Sequence, residues 1–72
     1  MTDRKLLQAK IEESGLPKTF IAKRLGLSRY GLAKKIDGQS DFKSEEILTL
    51  CEVLNIKTLT EREKIFFVKK VD

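Results

Sequence analysis

Glycines at positions 15, 26 and 38 are the strongest constraint on how this chain folds, since they recur eleven and twelve residues apart. Glycine adopts a left-handed backbone conformation readily and is therefore common directly after the last residue of a helix. Between these glycines the apolar residues recur three and four positions apart, as they do along the buried face of an α-helix. The first half of the chain is therefore predicted to form a series of short helices.

The helices of this half are predicted at about 2–14, 17–25 and 28–37. Thr2 or Asp3 can cap the first helix, and Ser28 is a favourable N-cap for the third. Pro17 suits the start of the second helix because its missing N–H is not needed there. The apolar positions expected on the inner faces are Leu6, Leu7, Ile11, Phe20, Ile21 and Leu25.

The second half of the chain is expected to add one or two helices. Ser44 can cap a fourth helix that ends at Asn55, and Phe42 in the preceding loop is expected to reach the core. The apolar stripe of this helix consists of Ile47, Leu50, Cys51 and Leu54. The residues from Thr60 to Glu63 match a capping box, which predicts a fifth helix at about 60–67. Residues 68–72 fit a helix, a short strand or a frayed tail.

These patterns predict a single all-α domain at 1–72, a compact bundle of four or five short helices. The 72 residues include one Cys, expected in the core, and no His, which excludes a disulfide framework, a Cys/His zinc site and catalysis by histidine. No apolar run approaches the roughly 18 residues that a membrane helix needs. We therefore expect a cytoplasmic binding module without cofactor, metal, membrane or small-molecule ligand, rather than an enzyme.

Positive charge is concentrated in one part of the chain. Residues 16–36 contain six Lys or Arg and no Asp or Glu, whereas the remainder contains nine basic and eleven acidic residues. The net charge of +4 therefore arises from this segment alone. Such a block is typical of a face that binds a polyanion, although a solvated lysine-rich surface has the same composition.

The basic segment has the pattern of two short helices joined by a tight turn at 26–28, which favours a steep crossing with the small Ala22 at its centre. Ala22, Gly26, Leu32 and the closing Ile-Asp-Gly at 36–38, followed by the helix at 44–56, resemble the lambda-repressor-like helix-turn-helix class. This class (Cro/cI type, or XRE) comprises phage and bacterial transcription regulators. The resemblance covers about residues 5–56. Two residues depart from it: Pro17 replaces a capping Thr, Ser or Asn, and Lys35 replaces an aliphatic core residue.

Helical geometry and the resemblance both indicate Arg29, Tyr30 and Lys34 as the base-contacting residues. If Leu32 and Ile36 face the core, Tyr30 and Lys34 point away from it at about 100° per residue, and Arg29 lies in the first turn. Arg29 can pair with the O6/N7 edge of guanine, Lys34 fits guanine or a phosphate, and Tyr30 fits a thymine methyl group or a phosphate. Each also has a simpler interpretation, as a surface charge for Arg29 and Lys34 and as a half-buried packing residue for Tyr30.

Candidate phosphate contacts surround this helix: Lys18, Thr19, Ser28, Gln39, Ser40 and Lys43. The free N–H groups at the start of the second helix add to them, because a helix N-terminus attracts phosphate. Gly31 lowers helix stability by roughly 1 kcal/mol relative to Ala. Its presence indicates a close approach to the helix, either by DNA or by the preceding helix.

An apolar run at 65–68 cannot face the core with all four side chains, so at least one is expected to be exposed and to contact a partner. We expect a homodimer through Phe66, Phe67 and Val68. The sequence then predicts a sequence-specific regulator that binds double-stranded DNA, a Cro-like phage or prophage repressor on an inverted-repeat operator. The alternative is a protein-binding module of the same fold, such as an antitoxin, antirepressor or adaptor.

Overall fold

The computed structural model describes residues 2–67, which form five α-helices and no strand. The helices are α1 (Arg4–Ser14), α2 (Lys18–Leu25), α3 (Arg29–Ile36), α4 (Ser44–Val53) and α5 (Leu59–Phe66). This confirms the predicted small all-α bundle. None of the described helices is long and apolar enough to cross a membrane.

The C-terminal ends of α2, α3 and α4 follow from left-handed residues at Gly26, Gly38 and Asn55. Gly26 has φ 71°, and the next amide, that of Leu27, donates to the carbonyl of Ala22 over 2.9 Å. This bond satisfies a carbonyl that the helix itself leaves without a donor and turns the chain sharply. The turn between α2 and α3 therefore has the tightness that the sequence predicted.

The N-terminal ends of the helices agree less well with the predicted N-caps. The Asp3 carboxylate caps α1, and the Ser28 hydroxyl caps α3, both as predicted. The prediction that Ser44 caps α4 is wrong: Lys43 holds the N-cap position, and its N–H donates to the Glu46 carboxylate over 2.8 Å. A carboxylate in the third helical position thus accepts the N–H of the cap residue, and the cap side chain makes no hydrogen bond to the first turn.

Helix α5 starts earlier than predicted. Thr58, rather than Thr60, is its N-cap, and the Thr58 hydroxyl accepts the N–H of Glu61 over 3.2 Å. Both threonines precede a glutamate by three residues, so the sequence contains two overlapping capping patterns. The earlier start adds backbone hydrogen bonds to the helix, including that from the Arg62 N–H to the Thr58 carbonyl.

One hydrophobic core joins all five helices, and its fully buried side chains are Leu7, Ile21, Leu32 and Leu50. Phe42 reaches this core from the loop before α4, as predicted. The residue before α1 is bonded to α5, because the Asp3 N–H donates to the Ile65 carbonyl over 2.6 Å.

Two predicted core residues lie at the surface instead. Leu6 and Phe20 are 42% and 41% exposed. Each precedes a buried residue, Leu7 or Ile21, and one residue along an α-helix is a rotation of about 100°. The buried face of α2 centres on Ile21 and Ala22, which turns Phe20 outward.

Candidate nucleic-acid interface

The outer face of α3 presents the three residues that the sequence indicated for base contacts. Leu32 and Ile36 are buried, and the opposite side of the helix carries Tyr30, which is 73% exposed. Tyr30 is therefore not a half-buried packing residue. Arg29 is exposed in the first turn, and Lys34 is half-buried with its Nζ 5.6 Å from the centre of the Tyr30 ring.

The stacked pair of Lys34 and Tyr30 has two effects on the surface of α3. A cation above an aromatic ring is attracted by the ring's negative face, which limits the rotamers of both side chains. The Lys34 ammonium lies over the ring of Tyr30, whose side chain is largely exposed. The two side chains thus offer a positive charge, an apolar ring edge and a hydroxyl in one place.

The backbone near Gly31 explains why that position has no side chain. The Ser28 hydroxyl caps α3 by accepting the Gly31 N–H over 2.9 Å. A Cβ atom on Gly31 would lie 3.2 Å from the same oxygen, which is tighter than ordinary contact. Among the described residues the closest approach to Gly31 comes from the capping serine and not from α2, whereas a close approach by DNA stays a prediction.

All six candidate phosphate contacts are exposed, namely Lys18, Thr19, Ser28, Gln39, Ser40 and Lys43. Lys18 and Thr19 open α2, whose N-cap, Pro17, provides no side-chain acceptor for the first turn. The backbone N–H groups of Lys18 and Thr19 therefore remain available to an anion, and the helix dipole favours negative charge at this end of α2. After α3, the Gln39 N–H donates to the Lys34 carbonyl over 2.9 Å, which fixes the direction of the loop.

The basic residues of α2 and α3 are mostly without counter-charge. Within residues 2–67, no carboxylate lies within ion-pair distance of Lys18, Lys23, Arg24, Arg29 or Lys34. The ion pairs of the described chain join other basic residues to acids, as in Arg4 with Asp37. Five positive charges are therefore left to attract an anion from solution.

Lys35, the sixth basic residue of the segment, has a different environment. Its side chain is only 12% exposed, and its Nζ lies 2.5 Å from Oε1 of Glu46, which is 10% exposed. A cation buried to this extent requires an acid on a neighbouring helix, and Glu46 of α4 is that acid. Lys35 therefore adds no charge to the exposed face.

Glu46 was not among the predicted functional residues. Burial raises its pKa, but the hydrogen bond from Lys35, the N–H of Lys43 and the charges of both lysines outweigh this effect, so that its pKa is lower than usual. The signal in the sequence was the aberrant Lys35. A lysine among core residues indicates an acidic partner, but only the fold shows that this partner is Glu46.

The residues predicted to form the dimer contact, at the end of α5, have different environments. Phe66 is buried and packs edge-on against Phe42, with ring centres 5.9 Å apart, so this residue belongs to the core of the protomer. Phe67 is 53% exposed, beside the exposed Leu6 and Leu59 in a groove between α1 and α5. Val68 lies outside the described residues.

Cys51 packs against the core in a half-buried position. Burial raises the pKa of its thiol, and the positive charge of Arg62 offsets part of this effect. A thiol with a raised pKa is a poor nucleophile at neutral pH, which agrees with a packing role.

The chain was compared with models of protein families, with curated proteins and with solved structures, and no significant match was found. Conclusions about function therefore depend on the residues themselves and on the geometry described above.

Proposed function

We propose that this protein is a sequence-specific regulator that binds double-stranded DNA, with α2 and α3 acting as a helix-turn-helix. The observation that carries the proposal is the exposed, uncompensated positive charge on these two helices. Phosphate contacts by such residues supply most of the affinity of a protein for DNA, whatever the base sequence. Preference for one base sequence requires additional contacts to the bases.

The outer face of α3 provides the base-reading groups. Arg29 lies in the first turn, which enters the major groove first, and pairs with the O6/N7 edge of a guanine. Tyr30 places its ring against a thymine methyl group, with Lys34 beside it for a neighbouring guanine or phosphate. Lys18, Thr19 and the loop after α3 hold the DNA backbone on either side and thereby fix the register of the helix.

The protein acts as a homodimer in this proposal. Leu6, Leu59 and Phe67 form an exposed apolar face between α1 and α5, and a two-fold contact there would bury all three in each protomer. Two copies of α3 would then read an inverted repeat whose half-sites are about 34 Å apart. A protein of this kind represses transcription by covering a promoter, as in Cro-like repressors.

The same apolar face supports a second candidate, a protein-binding module that docks a different partner. The two candidate functions assign different roles to the positive charge of α3. DNA binding requires Arg29 and Lys34, whereas docking between α1 and α5 does not.

The experiment is a comparison of two variants that lose the same number of positive charges. Arg29→Ala/Lys34→Ala removes charge from α3, and Lys5→Ala/Lys57→Ala removes it from exposed positions outside α2 and α3. Binding to a fluorescent duplex selected by the wild-type protein is followed by anisotropy between about 50 and 200 mM salt. We expect the α3 variant to lose most of the binding and the control little. Equal binding by both variants would contradict the proposal and favour the protein-binding module.

A further inference from the structure

Helix α3 is held by few apolar contacts. Of its eight residues only Leu32 and Ile36 are buried, and they lie one turn apart on the same side. Leu32 and Ile36 set which side of α3 faces outward, but they hold its exact rotation less strictly, because hydrophobic contact has no directional preference. A third, directional point of attachment would fix that exact rotation.

The buried pair of Lys35 and Glu46 provides that third point. Lys35 follows Lys34 on α3 and reaches Glu46 in the first turn of α4, and both side chains are nearly nine-tenths buried. A hydrogen-bonded ion pair depends on both distance and direction, unlike an apolar contact. Neither residue can leave the pair without leaving the other as a buried, unpaired charge.

The same oxygen of Glu46 also fixes the loop that follows α3. Oε1 accepts the backbone N–H of Lys43 over 2.8 Å as well as the Lys35 ammonium. Lys43 is one of the proposed phosphate contacts, and Lys34, next to Lys35, is one of the proposed base contacts. A single carboxylate oxygen thus sets the relative placement of the reading helix and of a residue that holds the DNA backbone.

We propose that Glu46 and Lys35 are positioning residues for DNA recognition, which set the rotation of α3 so that its outer face meets the bases. The pair touches no DNA, and it contributes to the choice of sequence rather than to general affinity. This inference rests on the proposed function, since it concerns how that site discriminates.

The test replaces the buried pair by apolar residues of similar size, in Lys35→Met/Glu46→Leu. Such replacements often leave a protein as stable as before or more stable, so a merely structural role predicts no loss of discrimination. We expect the affinity for a duplex selected by the wild-type protein to fall by about tenfold. The affinity for a duplex of random sequence should stay within about twofold, because the exposed cations are unchanged.

The matched control is Lys10→Met/Glu61→Leu, which removes an ion pair of the same net charge between α1 and α5, away from α3. It should leave both affinities unchanged. If thermal melting shows that the buried double variant does not fold, Lys35→Met/Glu46→Gln gives the same comparison, since it removes both charges and keeps an acceptor for the Lys43 N–H. A severalfold loss of discrimination is expected there too.

The outcomes separate the two proposals. A folded double variant that prefers the selected duplex as strongly as the wild type does would overturn the positioning role and leave the proposed function intact. A wild-type protein without preference for any duplex would overturn the proposed function, and the positioning role with it.

Discussion

The environment of Gly31 shows how one residue can serve a helix cap. An alanine there should favour the helical state by about 1 kcal/mol. Its Cβ would, however, lie 3.2 Å from the Ser28 hydroxyl, whose cap is itself worth about 1 kcal/mol. The two effects oppose each other at this position.

We therefore predict that the effect of Gly31→Ala depends on residue 28. In the wild-type background the substitution should change the free energy of unfolding little. In a Ser28→Ala background it should stabilise the protein by about 1 kcal/mol, because no hydroxyl remains to be displaced. Urea denaturation of the four proteins in this cycle measures the coupling. Equal effects in the two backgrounds would contradict this explanation of Gly31.

Single residues were predictable from the sequence where one local rule decided them. The exposure of Tyr30 follows from the helical position of Leu32 and Ile36, and Ser28 is a favourable cap in any helix of this kind. The role of Glu46 was not predictable, because it depends on a partner eleven residues away and on how α4 packs against the other helices. Phe66 and Phe67 are adjacent, and only the exact end of α5 shows which of them is buried.

At the scale of the elements, the contact between α3 and α4 depends on the ionisation of Glu46. Its pKa in the folded protein is lower than the ordinary value of 4.5, so the carboxylate favours the folded state whenever it is ionised. This contribution is complete well above pH 4.5 and is lost as the pH falls from there through the lower pKa of the folded state.

We predict that acid removes the advantage of the wild type over Glu46→Gln. At pH 7 the wild type should have the higher urea midpoint, and the difference should shrink as the pH falls below about 4.5. Other carboxylates titrate in the same range, so the difference between the two proteins is the quantity to follow. A difference that does not change between pH 7 and pH 3 would mean that the pair with Lys35 contributes nothing.

The helix ends illustrate which parts of the elements a sequence can specify. Gly26 and Gly38 end α2 and α3 where they were expected, because few other residues adopt a left-handed backbone without strain. The starts of α4 and α5 were misplaced. Glu46 caps α4 through the backbone of Lys43, and Thr58 competes with Thr60 for the cap of α5, so local preference alone does not choose between them.

At the scale of the whole molecule, the unpaired positive charge of α2 and α3 and the exposed apolar side chains Leu6, Leu59 and Phe67 lie on different helices. The sequence predicted one positively charged face from residues 16–36, but Lys35 of this segment is largely buried and paired with Glu46. The apolar face of Leu6, Leu59 and Phe67 was only partly predictable, since Leu6 was expected in the core. Leu59 and Phe67 lie at the two ends of α5, and only the packing of α1 on α5 brings Leu6 beside them.

We predict that this face holds the dimer together. Phe67→Asp should weaken self-association measured by sedimentation, because it places a charge in the apolar contact. Leu48→Asp is the control, as Leu48 is equally exposed, at 53%, but lies on α4 outside that face. Sedimentation of the wild type as a monomer, both alone and with DNA, would exclude the dimer.

Selection from a randomised duplex library at about 0.15 M salt, with sequencing of the retained DNA, tests the central claim most directly. The proposed function predicts enrichment of an inverted repeat with half-sites about 34 Å apart, the spacing of two α3 helices in a two-fold dimer. Retention without any enriched sequence, which fades steeply as salt increases, would contradict it. The basic face would then attract DNA by charge alone, and the search would turn to a protein partner.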